Sequence, residues 1–292
     1  MATDRLQEKI RKLKNPSVVD LSVLPQHIPP YLLESAGSFL AAYKLYCKEL
    51  LSSLKEIVPA VRFGFGNLAL CGNEGLEVLE ELLRFAKNQG FYVLLDGPQL
   101  LSCQDAQWAS ETIFGQTSKL CFDGLILSSY IGSDGLAPIV PKLKETGKDL
   151  FVVVRTSNKS APELQDLLTG SRLVHVAKTD IAKRYSEALI GRCGYSQIGI
   201  MAAASSADSL RSLRSKFKSL FLLLDGSDYP NANAKNFSFA FDQFGHGAAA
   251  CAGTSITAAW SSDGGDGADY VEKAVLAAQR LKKNLTRYVS VL

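Results

Sequence analysis

The stretch EGLEVLEELLRFAKNQGFYVLLDG, residues 74–97, decides the fold. Its first part repeats large apolar residues at helical spacing (Leu76, Leu79, Leu82, Leu83, Phe85, Ala86), which predicts an amphipathic helix over 74–90. Gly90 ends that helix, because glycine takes the left-handed conformation that closes a helix without steric cost. Residues 91–96 follow as a short apolar run ending in Asp96, the pattern of a strand buried on both faces. A helix leading at once into a fully buried strand is one unit of a parallel α/β sheet.

The unit recurs along the chain. Apolar runs at 17–23, 60–66, 91–96, 124–129, 150–156, 197–203, 219–225 and 248–254 alternate with longer segments of helical period. Eight strands with intervening helices in 292 residues predict a (β/α)₈ barrel of the TIM type, a single α/β domain over residues 1–292. No Gly-x-Gly-x-x-Gly turn follows the first strand, which argues against a dinucleotide-binding sheet. In a barrel of this kind chemistry sits at the C-terminal ends of the strands. Asp96 and Asp225 stand there, and 225–236 forms a polar loop after the seventh strand.

Composition narrows the function classes. The net charge of +3 comes from 32 basic and 29 acidic residues spread along the chain, so no nucleic-acid or membrane patch is indicated. The basic stretches 9–14 and 280–287 read as solvated helix faces. Six cysteines, at 47, 71, 103, 121, 193 and 251, never form a Cys-x-x-Cys pair, so they read as reduced thiols rather than a zinc or redox motif. No apolar run reaches the ~18 residues of a membrane span, and the charged N-terminus lacks a secretory core. A cytoplasmic protein is the expectation. His27, His175 and His246 are isolated in sequence and read as structural or exposed.

Three long stretches, FVVVRTSNKSAPELQDL (151–167), SSYIGSDGLAPIV (128–140) and IGRCGYSQIG (190–199), resemble the longer bacterial branch of orotidine 5'-phosphate decarboxylase. Residues 15–29, 57–64 and 245–260 fall in that family's order and spacing. The resemblance implies a dimeric barrel that removes CO₂ from orotidine monophosphate without metal or cofactor. In that family a Lys-Asp-Lys-Asp array does the work, and its last Asp reaches across the dimer interface.

The family's Asp-x-Lys-x-x-Asp motif falls on residues 96–101 without a gap. Asp96 is retained, but Pro98 stands at the position of the proton-donating lysine and Leu101 at that of the second aspartate. A pyrrolidine ring has no titratable proton to deliver, and an aliphatic side chain has no charge. Arg62 replaces the first lysine and is expected to pair with Asp96. A guanidinium is essentially never deprotonated, which makes it a poor acid at neutral pH.

The resemblance also locates ligand-binding positions. Ser22 lies in the stretch where the family has Gly-Leu-Asp-Pro, Thr254 takes the place of its phosphate-binding arginine, and Asp225-Gly226-Ser227-Asp228 replaces its phosphate-binding loop. Thr156 and Ser157 remain, either to meet a uracil-like edge or for turn geometry alone. The expectation is a non-catalytic family member that acts as a structural or regulatory partner, as a homodimer or paired with a related barrel. The alternatives are a barrel with altered chemistry or an unidentified small-molecule ligand, and an active decarboxylase that borrows Lys119 or Lys159.

Overall fold

Valine, leucine and isoleucine fill the strand centres, and such runs form a parallel sheet only where helices cover the outer face and a packed core the inner one. The computed structural model, which describes residues 1–97, 106–115, 118–128, 130, 132–204, 207–228 and 233–292, meets both conditions. Its barrel strands are β1 (Ser17–Asp20), β2 (Ala60–Gly64), β3 (Tyr92–Asp96), β4 (Gly124–Ser128), β5 (Asp149–Val153), β8 (Ile198–Ala203), β9 (Leu222–Asp225) and β10 (Ala248–Ala252). All pair in parallel in the closed order β1-β10-β9-β8-β5-β4-β3-β2. This is the (β/α)₈ barrel read from the sequence. A two-stranded antiparallel hairpin, β6 (Leu168–Thr169) and β7 (Arg172–Leu173), lies outside the barrel after β5.

Several predicted strands run past their observed C-terminal ends. The first stops at Asp20, the second at Gly64, the fifth at Val153 and the eighth at Ala252. After Asp20 and Val153 the apolar pattern continues into loops at the barrel mouth, where ladder pairing ends although burial does not: Leu21, Val23 and Val154 remain buried. After Gly64 and Gly253 short helices, Phe65–Ala69 and Thr254–Thr257, take over. The hairpin is missed because two-residue strands have no readable period and Leu168 is exposed. The helix read at 74–90 spans Gly72–Asn88, and Gly90 takes φ +89°, as its role as a terminator requires.

The N-terminal helix Ala2–Leu13 closes the bottom of the barrel by burying Ala2, Leu6 and Ile10. Beneath it two buried carboxylates tie strand starts together. Asp123 accepts from the Val93 amide at 2.9 Å and pairs with Lys87 at 2.6 Å and with Arg5. Asp149 accepts from the Tyr92 hydroxyl at 2.6 Å, and burial pushes its carboxyl up to about 7 against the lowering effect of that bond. These are the N-terminal strand ends, where polar residues hold the fold rather than perform chemistry. No described helix is long and apolar enough to cross a membrane.

Candidate functional site

Three barrel strands end in aspartate: β1 at Asp20, β3 at Asp96 and β9 at Asp225. The third residue of β2, Arg62, projects between them. The register explains the convergence, because Arg62 lies opposite Asp20 on β1 and the last residue of β2, Gly64, lies opposite Asp96 on β3. The guanidinium pairs with Asp20 through Nη2, with Asp225 through Nη1 at 3.1 Å, and with Asp96 through Nη1 at 3.7 Å. The ion pair expected between Arg62 and Asp96 is therefore present, and it is the longest of three.

Burial sets the electrostatics. The Arg62 side chain is 11% exposed, and desolvation alone would lower its pKa, but Asp20 chiefly, with Cys251, Asp225 and Asp96, holds it well above the ordinary value. Asp20 feels the same desolvation in the opposite sense, and the Arg62 charge outweighs it, so this carboxyl titrates below the usual range. Asp96 is different. Burial, reinforced by the charges of Asp20 and Asp225, pushes it up to about 6 because Arg62 is too distant to compensate fully. Three carboxylates around one guanidinium give the ionised cluster an excess of two negative charges.

The remaining predicted positions surround this cluster, and most of their polar groups are engaged locally. Ser157 donates to Asp225 at 2.8 Å. The Thr156 hydroxyl donates to Asn158 Oδ1 at 2.5 Å and accepts from Gln165 Nε2 at 2.8 Å, while its amide donates to Gln165 Oε1 at 2.7 Å. These bonds tie the turn at Thr156 to Gln165. The Ser22 amide donates to Asp20 at 2.9 Å, and its hydroxyl lies 2.8 Å from where a Cβ on Gly64 would stand. A side chain at position 64 would require the Ser22 hydroxyl to turn away.

Gly226, with φ +79°, reverses the chain immediately after β9. That turn brings Ser227 onto the Cys251 carbonyl and places the Asp228 carboxylate 2.7 Å from the Gly253 amide. Thr254, exposed, begins a four-residue helical turn one position later. An acidic side chain of the protein itself therefore holds the amide that precedes Thr254. Lys119 and Lys159 are both exposed. Pro98 and Leu101 lie outside the described residues. Among the described residues no set of three or more His, Cys, Asp or Glu side chains is placed to hold a metal ion.

Asp20 is the member of the cluster that sequence reading missed, since attention fell on Ser22 two positions later. A signal was available: like Asp96 and Asp225, Asp20 follows directly on a buried apolar run, which is the address of a strand's C-terminal end.

A closed barrel of eight parallel strands with helices between them places the chain among the (β/α)₈ barrels, and its charged cluster lies at the C-terminal strand ends. No family model matches the chain. Orotidine 5'-phosphate decarboxylase of Caldicellulosiruptor saccharolyticus is 23% identical over 303 residues, covering 99% of both chains. The enzyme of that name from Deinococcus radiodurans is 29% identical over 195 residues, covering 66% of this chain and 69% of its own. The structure of Leishmania donovani OMP decarboxylase superposes with a TM-score of 0.71 at 20% identity, over 97% of this chain and 98% of that one. Over nearly its whole length the chain is thus similar to proteins named orotidine 5'-phosphate decarboxylase, and it shares their barrel fold.

Proposed function

We propose that this chain is a non-catalytic family member that keeps the barrel and acts through a protein partner, as a homodimer or beside a related, active barrel in cytoplasmic pyrimidine nucleotide synthesis. One observation carries the reading: the cation at the barrel mouth is a guanidinium closed upon three carboxylates. The family's reaction needs an ammonium that can give up a proton to the carbon losing CO₂. Arg62 holds its protons too tightly to do so, and its neighbours hold them tighter still. At the aligned position of the donor lysine the sequence has Pro98, and at that of the second aspartate Leu101.

Phosphate binding meets the same obstacle. A phosphate dianion is ordinarily held by amides and cationic side chains. Here Thr254 stands in place of the arginine, and Asp228 already accepts from the Gly253 amide. A dianion arriving there would have to displace one carboxylate beside a cluster with two excess negative charges.

Incubation of the purified chain with orotidine 5'-phosphate, with CO₂ and uridylate followed together, tests the reading. The expected result is no turnover above the uncatalysed background, and steady uridylate formation by the chain alone would refute it. Co-expression with an active family member then tests partnership. Co-purification with a changed activity is expected, whereas strict self-association with the other enzyme unaffected removes the heterodimer. A second reading, a barrel with altered chemistry, has one observation in its favour: a carboxyl titrating at about 6, as Asp96 does, can exchange a proton near neutral pH. Calorimetric titration with nucleosides, sugar phosphates and divalent cations tests it.

A further inference from the structure

Beside the Arg62 cluster, in the segments that follow the C-terminal ends of β5 and β8, four side chains line up in order. Arg155 forks onto Asp166, with Nε to Oδ1 at 3.0 Å and Nη2 to Oδ2 at 2.9 Å. Asp166 Oδ1 lies 3.1 Å from His175 Nδ1, and His175 Nε2 lies 3.4 Å from the hydroxyl of Ser209. His175 was read from sequence as structural or exposed; it is buried, with a side chain 4% exposed, and both ring nitrogens have partners. Arg155, Asp166 and His175 come from one stretch of chain, and the fold brings in Ser209 from 34 residues beyond His175.

The histidine's tautomer follows from its neighbours. Nδ1 lies 3.1 Å from the Gln165 carbonyl oxygen as well as 3.1 Å from Asp166. A carbonyl has no hydrogen to give, so Nδ1 must carry the proton. Nε2 is then left with its lone pair toward Ser209, and the serine hydroxyl is the donor in that contact. Asp166 is kept ionised by the Arg155 fork, which outweighs its partial burial and holds the carboxyl below the usual range. A carboxylate orienting an imidazole, whose free nitrogen accepts from a serine hydroxyl, is the arrangement that activates a serine as a nucleophile. A separation of 3.4 Å is looser than in a reacting complex, as is usual before substrate is bound.

The group also has room for a substrate. Asp166, His175 and Ser209 line a surface cleft of about 360 Å³ that Leu173 and Val176 make partly apolar. Ser209 is the third residue of the helix Ala207–Lys216, so its hydroxyl stands in the first turn, at the edge of the cleft.

We infer that Ser209, His175 and Asp166 form a second, acyl-transfer site at the rim of the barrel mouth that cleaves small neutral carboxylic esters. Ser209 Oγ bonds to the ester carbonyl carbon while its proton passes to His175 Nε2. The carbon–oxygen bond to the alcohol then breaks, and the departing oxygen takes that proton. Water next attacks the acyl carbon, giving one proton to Nε2, which returns it to Ser209 Oγ as the free acid leaves. Asp166 and Arg155 are positioning residues that fix the ring. The site shares no side chain with the cluster around Arg62, so it stands or falls independently of the family reaction.

A fluorophosphonate probe applied to the full-length chain tests the inference, with adducts located by peptide mass mapping and p-nitrophenyl acetate hydrolysis followed in parallel. The expected result is one adduct per chain, on Ser209, abolished in Ser209→Ala and unchanged in Ser215→Ala, a serine farther along the same helix. His175→Gln is expected to slow labelling at least about 100-fold. Asp166→Asn should lower kcat for the ester with little change in KM, which loss of mere structural support would not produce. Circular dichroism establishes that each variant is folded. If the folded wild-type chain is labelled no faster at Ser209 than at its other serines, or hydrolyses the ester no faster than Ser209→Ala, the assignment is overturned.

Discussion

Replacing Asp96 by asparagine should stabilise the protein at alkaline pH and leave it nearly unchanged at acid pH. The unfolded carboxyl titrates near 3.8 and the folded one near 6, a difference of about two units, because burial outweighs the attraction of Arg62 at 3.7 Å. Between those values the folded state binds a proton that the unfolded state has lost. The folded-state pKa is raised, so stability falls as pH rises from about 4 to about 6 and stays low beyond. At 1.36 kcal/mol per unit, the ionised side chain costs the native state about 3 kcal/mol at pH 8. The side chain is 26% exposed, which keeps solvent screening modest. Asparagine is nearly isosteric and never charges, so it removes that cost, less about 1 kcal/mol for any hydrogen bond the amide fails to remake. Urea unfolding of both proteins at pH 4.5 and pH 8 measures the difference of differences, which cancels every other group that titrates alike in the two. The expectation is a net gain of about 2 kcal/mol at pH 8 over that at pH 4.5. Equal effects at the two pH values, or destabilisation confined to pH 8, would show that Asp96 is a satisfied ion-pair partner and that the reasoning is wrong.

Two further outcomes are expected from the same geometry. Arg62→Met leaves Asp20 and Asp225 buried without their cation and should cost about 3–5 kcal/mol at pH 7, read as a drop in the urea midpoint, with part recovered on adding Asp20→Asn. At the other end of the barrel, Asp149 carries a carboxyl raised to about 7, so its ionisation destabilises the fold as pH rises from about 4 to about 7. Asp149→Asn should therefore raise the melting temperature more at pH 8 than at pH 5 in differential scanning calorimetry, and a shift independent of pH would contradict the assignment.

The barrel was legible because the strands are mostly apolar on both faces and helices such as Gly72–Asn88 carry one apolar stripe, two periods that a single sequence displays plainly. Asp96, Arg62 and Asp225 were legible for a related reason: a charge at the end of a buried run has few places to go except the barrel mouth. That Asp225, Asp20 and Asp96 share one guanidinium was not, since the inter-strand register that sets Asp20 opposite Arg62 leaves no local trace. The group around His175 was hidden more deeply. Arg155, Asp166, His175 and Ser209 come from a loop, a turn and two helices, and neither composition nor spacing marks them until the chain has closed the barrel. His175 looked isolated because sequence distance says nothing of distance across the helical layer.

On the non-catalytic reading proposed above, the mouth of this barrel also bears on how a fold persists without the reaction of its relatives. A catalytic array gathers like charges that the fold must tolerate, and the cost is retained for the sake of chemistry. Here the cost has been reduced in one way and kept in another. Arginine with its fork of donors reaches Asp20, Asp225 and Asp96 at once, which a single ammonium could not do with comparable geometry, and so holds three strand ends together. Asp96, farthest from the guanidinium, is pushed up to about 6 by burial, a cost to the native state that one substitution would remove. Either its penalty is too small to matter in a barrel of this size, or the charge at that strand end is still used. A large gain in stability from Asp96→Asn, with partner binding lost, would decide for use; the same gain with partner binding intact would make the carboxylate a relic.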